Sequence, residues 1–241
     1  MINSFFNKIF VINLERCSDR KSHIEKIMSE QNVDFDFIEA VDGEAEFKDH
    51  EYYVDFLKKK CYNCNSWNQS KAQLGCWLSH IKIWEKIIAE NIESCLILED
   101  DFLFNKNAII EETLKDLPKD WNIFMAGYGS AQISDVINDN IVKLSTPSCT
   151  HAYALKYEAA KIILDNCYPL MGALDSFTGH IFFTRDNNKI FKNGFENRCN
   201  FTAEEMQKRN PKYSLNSLDN LFSYAPKEPL FTQGGSSYST I

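Results

Sequence analysis

Residues 8–43 read as strand, helix, strand, and this run restricts the fold more than any other stretch of the chain. Lys8–Leu14 holds the unbroken apolar block Ile9-Phe10-Val11-Ile12, the mark of a strand covered on both faces. Ser18 or Asp19 then offers an N-cap, and Ile24, Ile27 and Met28 share one face of a helix from about Arg20 to Gln31. Phe35, Phe37 and Ile38 begin a second strand, which ends at the turn signal Asp42-Gly43. Strand, helix and strand within about thirty residues make a βαβ unit, and the right-handed crossover makes its strands parallel.

The pattern continues downstream. Leu74, Leu78, Ile81, Trp84 and Ile88 stripe a helix from about Ala72 to Glu90, with Trp77 and Trp84 on its core side. Short apolar strands are expected at Ser94–Leu98, Asn122–Ala126, Ile141–Leu144 and Cys149–Leu155. Ala160, Ile163, Leu164 and Cys167 give another amphipathic helix, stopped by Pro169. The segment from about Glu44 to Lys71 is polar and aperiodic, and reads as a long loop. The last forty or so residues carry no assignable period. Alternating strands and helices imply one α/β domain with a mainly parallel central sheet flanked by helices.

Charge and composition exclude several classes. Against 26 Lys and Arg stand 34 Asp and Glu, a formal net charge of -8; nucleic-acid binding would need a field of the opposite sign. No window reaches the roughly 18–20 apolar residues of a membrane span, and the start Met1-Ile2-Asn3-Ser4-Phe5-Phe6-Asn7-Lys8 turns polar before a signal-peptide core can form. The expectation is a cytoplasmic protein without signal peptide or transmembrane segment. Its eight cysteines then read as free thiols. Cys61 and Cys64 form a CxxC pair, but no second pair completes a zinc set, so they are expected to be loop thiols.

In open α/β sheets ligands sit at the carboxyl ends of the strands. The apolar run Leu96-Ile97-Leu98 passes directly into Glu99-Asp100-Asp101. Three adjacent carboxylates repel one another unless a cation or strong donors relieve them, and alternation turns Glu99 and Asp101 the same way. Hard divalent ions take such oxygen ligands; the competing reading of this tripeptide alone is an exposed acidic turn. Gly127-Tyr128-Gly129 lacks the third glycine of a dinucleotide fingerprint, and neither a P-loop nor a Gly-x-Ser-x-Gly elbow occurs. His80, His151 and His180 are scattered, each more in keeping with a hydrogen-bonded structural histidine.

Taken together, the motifs resemble glycosyltransferase family 25, which holds lipooligosaccharide galactosyltransferases and collagen hydroxylysine galactosyltransferases. The opening Val11-Ile12-Asn13-Leu14-Glu15-Arg16-Cys17-Ser18-Asp19-Arg20 is similar to the family's first signature, and Ile38-Glu39-Ala40-Val41-Asp42-Gly43 to its second. Leu74-Gly75-Cys76-Trp77-Leu78-Ser79-His80 resembles its Gly-Cys-x-x-Ser-His helix, and Leu96-Ile97-Leu98-Glu99-Asp100-Asp101 its acidic element. Weaker echoes follow at Leu174-Asp175-Ser176-Phe177 and from Glu228 to Gln233. The chain departs from the family at Lys71-Ala72-Gln73, where Lys-Gly-Glu is common, and at Ser176, where an acidic residue is common.

The resemblance implies a GT-A-type fold in a single domain spanning 1–241, with a nucleotide-sugar half over about 1–126 and an acceptor half over about 127–241. It implies an inverting hexosyltransferase moving galactose or glucose from UDP-galactose or UDP-glucose to a glycan or hydroxylysine-type acceptor, assisted by Mn²⁺ or Mg²⁺. Asp101 and Glu99 would hold the metal. Asn13, Leu14, Arg20, Asp42, Ser79, His80 and Asp100 would serve the UDP-sugar, with Arg20 on phosphates or ribose and Asp42 on uracil or ribose. Asp175 would be the general base, its competing role being the cap of a helix carrying Phe177, Ile181 and Phe182; His180 and Gln233 would complete the metal or acceptor site. A homodimer is compatible with this reading. Two alternatives stay open: a non-catalytic homologue that binds sugar nucleotide or glycan, and a metal-dependent phosphohydrolase or nucleotidyltransferase using the same acidic strand end.

Overall fold

The computed structural model describes residues 2–61, 69–145, 147–183 and 203–234. Strand β1 (Lys8–Asn13), helix α1 (Ser18–Glu30) and strand β2 (Asp36–Glu39) form the expected βαβ unit, with Val11 beside Phe37 in a parallel pair. The described part of the stretch expected to be a long loop is instead largely helical: α2 (Gly43–Glu46) and α3 (His50–Lys60) occupy it. Asp42 caps the first through the amides of Glu44 and Ala45, and Asp49 caps the second through that of Tyr52. Phe47, fully buried, and the half-buried Tyr53, Phe56 and Leu57 fix these helices to the core.

Helix α4 (Lys71–Ala89) opens with a reciprocal capping box: the Gln73 amide donates to Ser70 Oγ, and the Ser70 amide donates to Gln73 Oε1. Strand β3 (Ser94–Glu99) pairs parallel with β1 on the side away from β2. There follow β4 (Phe102–Phe104), α5 (Ile110–Lys115), β5 (Ile123–Gly127), β6 (Gln132–Val136), β7 (Ile141–Ser145), β8 (Ala152–Lys156), α6 (Tyr157–Asn166) and α7 (Leu174–Phe183). Beyond them come α8 (Ala203–Arg209), α9 (Leu215–Leu218), β9 (Ser223–Pro226) and β10 (Phe231–Gln233).

Eight strands join in one sheet, in the order β2-β1-β3-β8-β5-β9-β7-β6. β8 runs against both β3 and β5, and β7 runs against both β9 and β6, so six of the eight strands point one way. The expected mainly parallel α/β sheet is therefore present. The two-residue period of β1 divides the core. Phe10 and Ile12 join Trp77, Trp84 and Tyr153 on the α4 face, while Ile9 and Val11 meet Ile24 and Met28 of α1 on the other. Because β2 and β3 lie on opposite sides of β1, the carboxyl ends of β1 and β3 flank a topological switch point. No helix among the described residues is long and apolar enough to cross a membrane.

Two glycines bring the second motif against the third. A Cβ on Gly75 would lie 2.6 Å from the Val41 carbonyl oxygen and 2.8 Å from the Gly43 amide, and a Cβ on Gly43 would lie 1.9 Å from the Lys71 carbonyl oxygen. Ser79 Oγ completes the joint, accepting from the Val41 amide at 2.8 Å and donating to the Gly75 carbonyl at 2.7 Å. Backbone on both sides leaves no soft group to give way. Gly75→Ala is expected to destabilise the fold by about 1–3 kcal/mol, seen as a lower urea midpoint at unchanged slope. A midpoint equal to that of the native protein would contradict this close contact.

Candidate active site

β3 delivers its acidic end to a cleft of about 200 Å³ whose lining includes Glu99, Asp101, Cys149, Thr150, Asp175 and Gln233. Asp100, in the turn that follows β3, points the other way. It is buried against β1 and α1, accepting from Asn13 Nδ2 at 2.7 Å and from Arg20 Nη1 at 2.5 Å. Asn13, Arg20 and Asp100 thus form one cluster outside the lining of the cleft, tying the carboxyl ends of β1 and β3 to α1. Arg20 Nη2 is buried without a hydrogen-bond partner among the described residues.

Glu99 is held from three sides. Its amide donates to the His151 carbonyl at 2.9 Å, Thr150 Oγ1 donates to its Oε1 at 2.7 Å, and His80 Nε2 stands 3.3 Å from the same oxygen. Behind it, His80 Nδ1 is 2.7 Å from the Tyr153 hydroxyl, which accepts from Trp84 Nε1 at 3.0 Å. Burial works to raise the Glu99 pKa, but the hydrogen bonds and charge of His80 and the Thr150 hydroxyl outweigh it and hold this carboxyl below its ordinary value.

Asp101 is in the opposite position. β4 pairs antiparallel with β10, bringing Gln233 beside the acidic turn. Gln233 Nε2 donates to Asp101 Oδ2 at 2.9 Å, and the Gly234 amide donates to the Asp101 carbonyl at 2.7 Å. Oδ1 is buried with no partner among the described residues. Burial, and then the charge of Glu99, push the Asp101 pKa up to about 6 against the relief given by Gln233. An unpartnered carboxylate oxygen beside a second carboxylate is a donor set suited to a hard divalent cation.

The sign of this shift yields a test. A carboxyl whose folded-state pKa is about 6 against an ordinary 3.8 leaves the metal-free fold less stable as pH rises through that window. Relative to the native protein, Asp101→Asn is therefore expected to gain in melting temperature between about pH 4 and pH 7.5. A difference that does not change with pH would contradict the buried, unrelieved carboxylate.

Asp175 lies in the first turn of α7, inside the helix, which corrects the alternative that it is the cap. Its Oδ1 accepts from the Ser176 amide at 2.7 Å and its Oδ2 from the Cys149 amide at 3.4 Å. Cys149 adopts a left-handed φ of 70° at this point, a conformation that costs a non-glycine residue energy and clusters at functional sites. Leu14 and Asp42 line a second cleft, of about 570 Å³, at the carboxyl ends of β1 and β2, together with Arg16, Ala40 and Lys82. Asp42 Oδ2 there pairs with the Arg16 guanidinium.

The structure thus joins Glu99, Asp101, Asp175 and Gln233 in one cleft, holds His80 directly behind Glu99, and gathers Leu14 and Asp42 in another. Ser79 serves the contact between α4 and the segment after β2. The side chains of His180, Ile181 and Phe182 fall outside the described residues, as does Cys64. Cys61 is buried and bridges to Leu170. Thr150 and Cys149 escape a reading of the sequence: they precede β8, and only the antiparallel pairing of β8 with β3 brings them to the acidic end. Gly127, half of an unconvincing dinucleotide motif, is a packing glycine whose Cβ would lie 2.5 Å from His151 Nε2.

The family model of glycosyltransferase family 25 (LPS biosynthesis protein) matches residues 6–178. The chain belongs to glycosyltransferase family 25. It is 27% identical over 208 residues to procollagen galactosyltransferase 2 of Mus musculus, covering 80% of this chain and 33% of that one. It is 26% identical over 166 residues to the lipooligosaccharide biosynthesis protein lic2B of Haemophilus influenzae, covering 63% and 60%. A putative glycosyltransferase, R655, of Acanthamoeba polyphaga mimivirus is 35% identical over 102 residues, covering 42% and 30%. The chain spans about a third of the length of the mouse and human procollagen galactosyltransferase 2. Among solved structures, a glycosyltransferase involved in the glycosylation of the major capsid of PBCV-1 aligns with a TM-score of 0.35 and 12% identity, over 95% of this chain and 92% of that one.

Proposed function

We propose that this family 25 protein is an inverting hexosyltransferase that moves galactose or glucose from a UDP-sugar to a hydroxyl of a glycan or a hydroxylysine-type acceptor. The observation that carries the reading is the meeting of Glu99 and Asp101 with Asp175 and Gln233, from three distant segments, in one cleft at the carboxyl end of β3. The names of the relatives, a procollagen galactosyltransferase and a lipooligosaccharide biosynthesis protein, favour galactose as the sugar and these two acceptor classes.

Asp101 Oδ1 and Glu99 are the groups that would hold a Mn²⁺ or Mg²⁺ ion, which supplies charge neutralisation at the departing diphosphate. Gln233 keeps Asp101 Oδ2 engaged and so turns Oδ1 inward. Thr150 and His80 keep Glu99 ionised and oriented. The second cleft, with Leu14 and Asp42, is suited to the nucleoside, and the Arg20 guanidinium, with one nitrogen unpartnered among the described residues, to phosphate or ribose. Asp175 would take the proton of the acceptor hydroxyl as that oxygen attacks the anomeric carbon from the face opposite the diphosphate. The donor half over about 1–126 would then supply Glu99 and Asp101, and the acceptor half over about 127–241 would supply Thr150, Asp175 and Gln233.

The test is UDP release from UDP-galactose and UDP-glucose with Mn²⁺, in the presence and absence of hydroxylysine peptides or galactosyl-accepting oligosaccharides. Release that needs an acceptor, with a product of inverted anomeric configuration, is expected. Rapid hydrolysis that ignores every acceptor would instead support a phosphohydrolase.

A further inference from the structure

The proposed function uses Glu99 with Asp101 as an oxygen pair, and leaves unused a second donor set that shares Glu99: the Cys76 thiol, His80 Nε2 and the Glu99 carboxylate. Cys76 and His80 stand four residues apart on α4 and so share a face. Their ligand atoms and a Glu99 oxygen all lie within 4.8 Å of one another. The His80 Nε2 to Glu99 Oε1 distance of 3.3 Å is already that of one edge of a tetrahedral zinc site, roughly 3.3–3.7 Å. We propose that Cys76, His80 and Glu99 form a binding site for a borderline divalent cation of the Zn²⁺ class, with its fourth position open to the cleft.

The donor set discriminates by softness. Thiolate with imidazole selects zinc-like ions, whereas the all-oxygen pair of Glu99 and Asp101 suits Mg²⁺ or Mn²⁺. The outer contacts are those that a metal-bound histidine requires. With an ion on Nε2, Nδ1–H donates to the Tyr153 hydroxyl oxygen 2.7 Å away, and that oxygen's other lone pair accepts from Trp84 Nε1. Thr150 Oγ1 fixes the carboxylate through one lone pair of Oε1. Cys76 and Glu99 both line the cleft, which gives the ion its path in. In the metal-free protein, burial and then the charges of Glu99, Asp175 and Asp101 keep the Cys76 thiol protonated, so capture of the ion releases that proton to solvent. An ion there ties up Glu99, and zinc is thereby an inhibitor of transfer; this consequence rests on the reading of Glu99 under the proposed function, while the binding itself does not.

The experiment titrates the purified full chain, without nucleotide, with Zn²⁺ against a chromophoric chelator. A parallel titration with Cd²⁺ follows the near-ultraviolet thiolate band. One tight site and a cadmium–thiolate band are expected in the native protein. Cys76→Ser, which keeps the shape of the side chain, should lose the band and bind zinc about 100-fold more weakly, the upper end of what even an outer-shell change costs. His80→Gln, which keeps an amide donor towards Glu99, should weaken zinc comparably, and Cys149→Ser, on the same cleft but outside the trio, should bind as the native protein does. Native melting of each variant is checked beforehand. Undiminished affinity in Cys76→Ser, loss in Cys149→Ser, or no saturable site in the native protein would overturn the proposal, whatever the outcome of the transfer assay.

Discussion

Asp175→Asn is expected to lower transfer by about 10²–10⁴-fold, the range that a positioned general base contributes. UDP affinity should stay within about twofold, because the change removes a proton acceptor and no ligand of the nucleotide. The substitution preserves shape, and the side-chain carbonyl of asparagine can still accept from the Ser176 amide, the shorter of the two bonds that hold the present carboxylate, while the longer one from the Cys149 amide is lost. A variant that melts as the native protein does has kept the fold, and a fall in its rate then reports on chemistry. The check is kcat from UDP release alongside calorimetric UDP affinity. Lost affinity with the rate reduced in proportion would move Asp175 from the acceptor side to the donor side of the site.

Asp101→Asn should act on the other half of the reaction. The unpartnered Oδ1 is the oxygen best placed to meet a cation, and Gln233 already occupies its twin. Asparagine can keep the Gln233 contact but brings no charge. The metal-dependent part of UDP affinity should vanish, and transfer should fall by about 10²–10³-fold or more, the scale of losing one preorganised electrostatic contact to the developing charge. Read with its expected gain in stability at neutral pH, this variant separates function from folding. A residue that stabilised the fold through its charge would lose both together.

The legible parts of the fold are those in which local chemistry and tertiary context agree. β1 shows itself through four consecutive apolar residues because both of its faces are covered, by Trp77 and Trp84 on one side and by Ile24 and Met28 on the other. α3 hides because none of its residues is fully buried: Tyr53, Phe56 and Leu57 only lean on the core among lysines, and their period is lost in the charge. β9 is four residues long and ends in Pro226, yet it sits inside the sheet between β5 and β7. No pattern within four residues could announce that.

The site divides in the same way. That Glu99 and Asp101 face one way is what alternation predicts, although β3 ends at Glu99 and the turn after it brings Asp101 to the cleft. That Asp100 would meet Arg20 across 80 positions, or that Gln233 would reach Asp101 across 132, follows only from strand pairing. The third motif shows the limit of reading residues singly. Gly75 and Ser79 form the joint with the Val41–Gly43 backbone, while on the neighbouring face Cys76 lines the cleft and His80 stands buried behind Glu99.

The central claim is that the acidic end of β3 holds a sugar nucleotide through a divalent cation. The most direct measurement is calorimetric titration of UDP-galactose into the native protein and Asp101→Asn, each with and without Mn²⁺. Binding to the native protein that requires Mn²⁺, and its absence in the variant, is the predicted result. Binding that is equally strong without the ion, or unchanged in the variant, would contradict it.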